Sequence, residues 1–344
     1  MQYKLLGNTG VLVSELCFGT MTFGGKGFWK AIGELEQKEV NELIKVSVEN
    51  GINFIDTANA YSEGLSEQLL GKALKDLGIN RQHVVLATKV RSRMGPGANQ
   101  VGLSRLHIMD SVHDSLERLK TDHIDLLYIH GVDPLTSLEE TMRGLEDVVH
   151  AGKVRYLGVS NHPAWKVVKA NAIAKKMGWT KFIASQNYYS LSSRDIEREI
   201  VPMAISENIA IMPWSPLAGG FLSGKYTRSN AKAGDSRRDE FDFPPVDKEK
   251  AYDIIDVMLK IGKSHNVSAA RVALAWMLHK PGVTSIIIGA KKKEQLLDNI
   301  ASTTLNLTRD EMAELDKISE LSPEYPGWMM QRQMSGRFPE QSGN

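Results

Sequence analysis

Residues 51–74 read GINFIDTANAYSEGLSEQLLGKAL, and the rest of the chain is organised around this stretch. Its apolar run, Ile52 to Ile55, has the length of a buried strand. Its second half places Leu65, Leu69, Leu70, Ala73 and Leu74 along one side of a helix. A polar turn joins the two. Asp56 stands where the apolar run stops, and Tyr61 lies in the turn just beyond. A carboxylate at the end of a buried strand loses hydration and requires partners, which other strands must bring to the same end of the sheet.

The same unit of short apolar strand, polar loop and amphipathic helix recurs along the chain. Upstream, Tyr3 to Leu6 and Val11 to Val13 flank the turn Gly7-Asn8-Thr9-Gly10 and read as a hairpin. The candidate strands are Leu16 to Gly19, Asn53 to Asp56, Val84 to Lys89 and Ile124 to His130, followed by Val154 to Ser160, Phe182 to Asn187, Ala210 to Trp214 and Ser285 to Gly289. Helices are expected over 38–50, 65–77, 104–120, 137–151, 163–177, 193–207, 250–279 in two pieces, and 292–301. Strand–helix alternation implies a parallel sheet covered by its crossover helices. With strands in this number, the α/β class narrows to a (β/α)8 TIM barrel forming a single domain over residues 1–344, with an N-terminal β-hairpin and long loops at the C-terminal face. A doubly wound sheet is the alternative, but Gly95-Pro96-Gly97 lacks the third glycine of a dinucleotide fingerprint, which is Gln100 here. The loops 91–102 and 215–246 are long and therefore functional candidates. The tail after Leu321 mixes Pro and Gly with Tyr325, Trp328, Met329 and Met330, and either folds over that face or frays.

Composition narrows the classes. With 42% hydrophobic and 24% charged residues the chain is an ordinary globular protein, and its net charge of +1 argues against a generally basic nucleic-acid surface. The single cysteine, Cys17, forms no internal disulfide and reads as a small buried hydrophobe. There is no signal-peptide pattern and no apolar run near the roughly 18 residues of a membrane span. The sequons at Asn266 and Asn306 then read as chance matches, and a cytoplasmic location is expected.

Three successive strands end in residues foreign to a core: Asp56, Lys89 and His130. Alone, each has an ordinary reading as a cap, a snorkelling lysine or a satisfied histidine. At one barrel rim, with Tyr61 beside them, they form an acid–base set. A tyrosine is a weak acid with an unperturbed pKa of about 10. A neighbouring ammonium favours its phenolate; Lys89 supplies that charge if Asp56 compensates for its burial. His130 can hydrogen-bond and orient a substrate oxygen. The set is a metal-free proton donor aimed at a carbonyl oxygen, and it lacks a source of electrons. His83, His107, His113, His123 and His150 show no metal-ligand spacing.

In that order and context Asp56, Tyr61, Lys89 and His130 resemble the catalytic tetrad of the aldo-keto reductase superfamily. FGTMTFGG, NFIDTANAY, ATKV, IDLLYIH, GKVRYLGVSN, QNYYSL, PWSPLAGGFLSGKY and IIIGAKKKEQLLDN extend the resemblance over nearly the whole chain. It implies a (β/α)8 barrel that binds NADP(H) in extended form. Hydride then passes from nicotinamide to a carbonyl carbon while Tyr61 protonates the oxygen, reversibly. Thr20 and Met21 would border the cofactor together with Asp56. Ser160, Asn161 and Gln186 would hold the nicotinamide carboxamide, and Trp214 would pack on its ring; helix capping is the ordinary reading of Ser160 and Asn161. Ser215, Pro216, Leu217, Ala218 and Lys225 would contact pyrophosphate and ribose, and Arg237 or Arg238 would complete that clamp. Gly219, Gly224 and Lys225 nearly match a phosphate loop, but Tyr226 replaces its Ser/Thr and no helix is expected to follow.

After the last strand, Gly289 leads into Lys291, Lys292 and Lys293 at a helix start, a natural phosphate site, although a lysine run is ordinarily a solvated face and Lys292 and Lys293 read as that. The resemblance places the adenosine 2′-phosphate at Lys291 and Gln295, with Asp298 and Asn299 near the adenine, and so favours NADP(H) over NAD(H). The loop Met21 to Gly33, with Phe23 and Trp29 beside Tyr61 and His130, would line a pocket for a small carbonyl or alcohol substrate. Phe28 and Trp328 are further aromatic candidates. The superfamily also includes cofactor-binding β subunits of potassium channels; these depart from the tetrad at the histidine, which this chain keeps as His130. The substrate and the oligomeric state are left open.

Overall fold

A computed structural model describes residues 1–230, 238, 241–335 and 337 of the chain. The N-terminal hairpin pairs β1 (Tyr3–Leu5) with β2 (Leu12–Ser14), Tyr3 opposite Ser14. It closes the bottom of the barrel, because Leu6 and Val13 join the apolar side chains inside the strands. Gly7 at φ 59° is required there: a Cβ would lie 2.5 Å from the Ile183 carbonyl oxygen.

The barrel strands are β3 (Leu16–Gly19), β4 (Phe54–Asp56), β5 (Val85–Val90), β6 (Ile124–Ile129), β7 (Val154–Ser160), β8 (Phe182–Tyr188), β9 (Ala210–Trp214) and β10 (Ile286–Ile288). They form one 8-stranded parallel sheet in the order β10-β3-β4-β5-β6-β7-β8-β9. A parallel bridge between Ile211 and Val283 brings β9 back to β10 and nearly closes it. The expected (β/α)8 barrel with its hairpin is therefore the observed architecture.

Outside the strands run α1 (Gln37–Glu49), α2 (Leu65–Asp76), α3 (Arg105–Leu119), α4 (Leu138–His150), α5 (Ala164–Met177) and α6 (Ile196–Glu207). The two pieces expected over 250–279 are α7 (Lys248–His265) and α8 (Ala269–Leu278), and α9 (Lys293–Ile300) follows β10. Their apolar faces and the outward side chains of the strands form the larger core; within α2, Leu70, Ala73 and Leu74 face it. Full burial of one such leucine contributes about 1.5–3 kcal/mol.

Two further helices lie beyond the expected set. The first, α10 (Arg309–Ile318), opens on a capping box between Thr308 and Glu311, and its Asp316 accepts 2.9 Å from the indole of the buried Trp276. The second, α11 (Gly327–Ser335), occupies the tail. Arg198 on α6 holds the residues leading into it, through the Ser322 carbonyl and Glu324. Trp328 packs edge-on to Tyr325 at 6.2 Å and does not line the cleft described below. Among the described residues no helix is long and apolar enough to cross a membrane.

Candidate functional site

Parallel register sets the rim. Gly19 pairs with Asp56, Asp56 with Ala87, Lys89 with Tyr128, and Ser160 with Gln186. Side chains alternate along a strand, so Phe54 and Asp56 share the interior face of β4, as Ala87 and Lys89 share that of β5. The deeper positions, Phe54, Ala87, Leu126, Tyr128, Ala184 and Met212, form an apolar floor. Gly158 makes room for the Tyr128 ring, since a Cβ there would lie 2.5 Å from it. Burial, reinforced by the charge on Asp56, pushes the Tyr128 phenol well above its usual range.

The polar layer above that floor is tied together by its own hydrogen bonds. The Lys89 ammonium is fully buried and donates to Asp56, to the Thr57 carbonyl at 2.8 Å and to the Tyr61 hydroxyl at 3.2 Å. Gln186 donates 2.9 Å to the second oxygen of Asp56. Burial pushes the Lys89 amine down, but the Asp56 carboxylate and the Tyr61 oxygen outweigh it and hold it above its ordinary value. At Asp56 burial raises the carboxyl above its ordinary value, against the charge and hydrogen bond of Lys89 and the hydrogen bond from Gln186; with both oxygens accepting, it is a carboxylate facing an ammonium. His130 follows β6 directly, its ring 5.9 Å from that of Tyr61. Burial first, then the nearby charges of Lys89 and Arg91, hold its imidazole well below the usual histidine range, so it is neutral. Its Nδ1 is buried with no hydrogen-bond partner among the described residues.

Tyr61 is aimed by an unusual turn. Ser62, Glu63 and Gly64 follow it with φ of 49°, 56° and 91°. Left-handed backbone costs a non-glycine residue about 1–2 kcal/mol.

Asn161, itself at φ 57°, braces the neighbouring strand ends. Its amide nitrogen donates to the His130 carbonyl at 3.1 Å and to the Ser160 hydroxyl at 3.0 Å, and its oxygen accepts from the Trp214 indole at 3.0 Å. Among the described residues the Ser160 hydroxyl donates to no group, and Oε1 of Gln186 accepts no hydrogen bond. One donor and one acceptor therefore face the cleft side by side, the complement of a carboxamide.

The cleft above this layer has a volume of about 600 Å³. At the acid–base end it is lined by Met21, Trp29, Asp56, Tyr61 and His130, and its middle by Ser160, Asn161, Gln186 and Trp214. The turn after β9 contributes Ser215, Pro216, Leu217 and Lys225, and the far end is made by Gly289, Lys291, Gln295, Asp298 and Asn299. Lys225 and Lys291 are both exposed there. Oε1 of Gln295 accepts from the backbone amides of Lys291 at 3.0 Å and Lys292 at 3.3 Å. Asp298 is held by Ser268 and by Arg271, 2.6 Å away, a pairing that sequence reasoning missed. Residues 218–223 wind as a 3-10 turn with positive φ at Gly219 and Gly220, unlike a phosphate loop running into a helix.

Three expected site residues lie away from the cleft lining. Phe23 is fully buried against Phe18, at 5.9 Å between rings, because its side chain is part of the packing between barrel and helices. Thr20 is also fully buried, with its hydroxyl turned to Ser66 at 2.8 Å. Ala218 sits behind the wall, its carbonyl accepting 2.7 Å from Arg238, which is itself buried and paired with Asp242. Arg237 lies outside the described residues.

Phe241 and Phe243 were missed by sequence reasoning, although two phenylalanines flanking an aspartate in a polar loop are a signal. They complete an arch of rings over the cleft. Tyr61 meets Trp29 at 5.2 Å, Trp29 meets Phe28 at 5.8 Å, and Phe28 meets Phe241 at 5.0 Å. Phe241 then meets Phe243 at 5.5 Å, Phe243 meets Trp214 at 5.9 Å, and Trp214 stacks on Tyr188 at 5.0 Å. Among the described residues no group of three or more His, Cys, Asp or Glu could hold a metal ion.

The sequence matches the aldo/keto reductase family over residues 15–320. It is 37% identical to the versiconal hemiacetal acetate reductase of Aspergillus parasiticus, over 92% of this chain and 96% of that one. It is 38% identical to the norsolorinic acid reductase of Aspergillus flavus, over 94% of this chain and 82% of that one. A chain of Oryza sativa subsp. japonica named "Probable voltage-gated potassium channel subunit beta" is 35% identical, over 94% of both. The arrangement of Tyr61, Lys89, Asp56 and His130 is that of an NADP(H)-dependent oxidoreductase, and the family implies NADP(H) binding. Matched across its whole barrel and related over most of its length to named reductases, the chain belongs to the aldo/keto reductase family.

Proposed function

We propose that the protein reduces aldehydes and ketones to alcohols, reversibly, with Tyr61 as the proton donor. The observation that carries this reading is the Tyr61 hydroxyl at the cleft wall, 3.2 Å from the buried Lys89 ammonium. In water-excluded surroundings an ammonium at that distance stabilises the phenolate that proton transfer leaves behind. Asp56 compensates the charge of Lys89 and keeps it from turning elsewhere. His130, neutral and able to donate one hydrogen bond, orients the carbonyl oxygen between itself and Tyr61. In the direction of alcohol oxidation the phenolate takes the proton back.

NADP(H), when bound, supplies the hydride. Ser160 and Gln186 match its carboxamide, Trp214 offers a ring face, and Ser215, Pro216, Leu217 and Lys225 border the path to the far end. Gly289, Lys291 and Gln295 would meet the 2′-phosphate there, with Asp298 and Asn299 beside the adenine. The substrate end is walled by Trp29, Phe28, Phe241 and Phe243, which suits flat aryl carbonyls better than sugars. Two relatives are named reductases, which supports reduction as the reaction. The test is NADPH consumption over a panel of aryl aldehydes, alkyl aldehydes, ketones and sugars. Steady turnover, highest with aryl carbonyls, is expected. NADPH binding without turnover on any of them would overturn the enzyme reading in favour of a binding subunit.

A further inference from the structure

Between the acid and the aromatic wall lies one buried hydroxyl that belongs to neither. Ser62 follows Tyr61 directly, and its side chain has no exposed surface. Its Oγ donates 2.8 Å to the Phe23 carbonyl and accepts 2.9 Å from the Gly25 amide. Both partners lie on the loop that leads into the 3-10 turn Gly27–Ala31, which carries Phe28 and Trp29. The loop approaches as backbone: a Cβ on Gly24, at φ 92°, would come within 2.9 Å of the Ser62 side chain.

Two other links join these segments. Trp29 meets Tyr61 ring to ring, and Lys26 and Glu63 approach to 2.9 Å, but with side chains 61% and 57% exposed that ion pair is screened by solvent and contributes little. Ser62, by contrast, makes two short bonds away from solvent while its own backbone and that of Glu63 stand in the left-handed region. Such a conformation persists only where its surroundings over-determine it.

We propose that Ser62 is a positioning residue: its hydroxyl ties the Tyr61 turn to the aromatic loop and thereby holds the phenol against the Lys89 ammonium. The tie works in both directions. A shift of the loop that carries Trp29 reaches Tyr61 through this hydroxyl as well as through the Trp29–Tyr61 ring contact, so the wall that senses the substrate and the group that protonates it move together. The inference rests on the reading of Tyr61 as the proton donor.

The test uses the full chain with NADPH and an aryl aldehyde, comparing Ser62→Ala, Ser62→Gly and Lys26→Ala with the parent. Misplacing a catalytic group by about 1 Å can lower turnover 100-fold, so kcat is expected to fall about 10- to 100-fold in both Ser62 variants. The NADPH dissociation constant is expected to stay within about twofold, since the cofactor-facing residues are untouched. The basic limb of the kcat profile should move to higher pH as the phenol loses the ammonium that favours its ionised form. Ser62→Gly relieves the left-handed backbone while still losing the bonds, so it separates hydroxyl from fold: it should be the better folded of the two by thermal melting and equally slow. Lys26→Ala should leave kcat unchanged. Unchanged kcat in folded Ser62→Gly, an unmoved basic limb, or an equal loss in Lys26→Ala would each overturn the proposal. Tyr61→Phe, run alongside, distinguishes this from failure of the parent reading: if that variant retains turnover, the proton donor is a different group.

Discussion

At one end of the cleft the polar groups sit on strand ends and bond to one another. Lys89 is fully buried between Asp56, the Thr57 carbonyl and Tyr61, and Gln186 completes the carboxylate. At the other end Lys225 and Lys291 stand exposed on loops, and the backbone amides there are held by a side-chain oxygen of the following helix. Groups fixed in a dry layer act without reorganising, whereas exposed cations act by diffuse attraction that salt screens. Under the proposed function, the contrast assigns the chemistry to the barrel rim and phosphate recognition to the loops.

Breaking the buried end should have the largest effect. Tyr61→Phe deletes one oxygen and is expected to lower kcat by about 10²- to 10⁴-fold, with NADPH binding within about twofold, as measured by steady-state kinetics and fluorescence titration. Lys89→Met leaves the Asp56 carboxylate buried and unpaired; denaturant unfolding should show about 3–5 kcal/mol of lost stability, part of it restored by adding Asp56→Asn. The exposed end should respond more weakly and more selectively. Lys291→Ala is expected to weaken NADPH about tenfold while leaving NADH unchanged, because it removes one charge-assisted contact. Equal loss for both cofactors would place the 2′-phosphate elsewhere and erase the contrast.

The smallest effect is a flat line. A group whose protonated form is disfavoured takes its proton only at more acidic pH, so His130 should add no limb to the rate profile near its usual pKa of about 6.5. Arg91→Ala removes one of the opposing cations and should move that protonation upward in pH.

How much of this was legible in the sequence follows the same division. Asp56, Lys89 and His130 could be found because a buried strand announces its end when the apolar run stops, and parallel strands bring their ends together. Loop residues carry no such period. Phe23 looked like a pocket residue beside Phe28 and Trp29 but packs on Phe18 in the core, while Phe241 and Phe243 reach the cleft from a loop more than 200 residues away. Ser62 gave no sign, since its role depends on positive φ and on where the 23–25 backbone runs. The helix Arg309–Ile318 could have been read: Thr308 and Glu311 form the capping box that opens it.

Gln295 gives the far end of the cleft one more property. Its side-chain oxygen holds the Lys291 and Lys292 amides, so under the proposed function a phosphate would compete with that oxygen for them. Its affinity would then be the intrinsic affinity reduced by the fraction of time the two amides are free. In return the two amides would not be left bare when the phosphate departs. Such a latch would flatten the difference between the loaded and the empty states, a useful property where a carrier must be exchanged after every turnover.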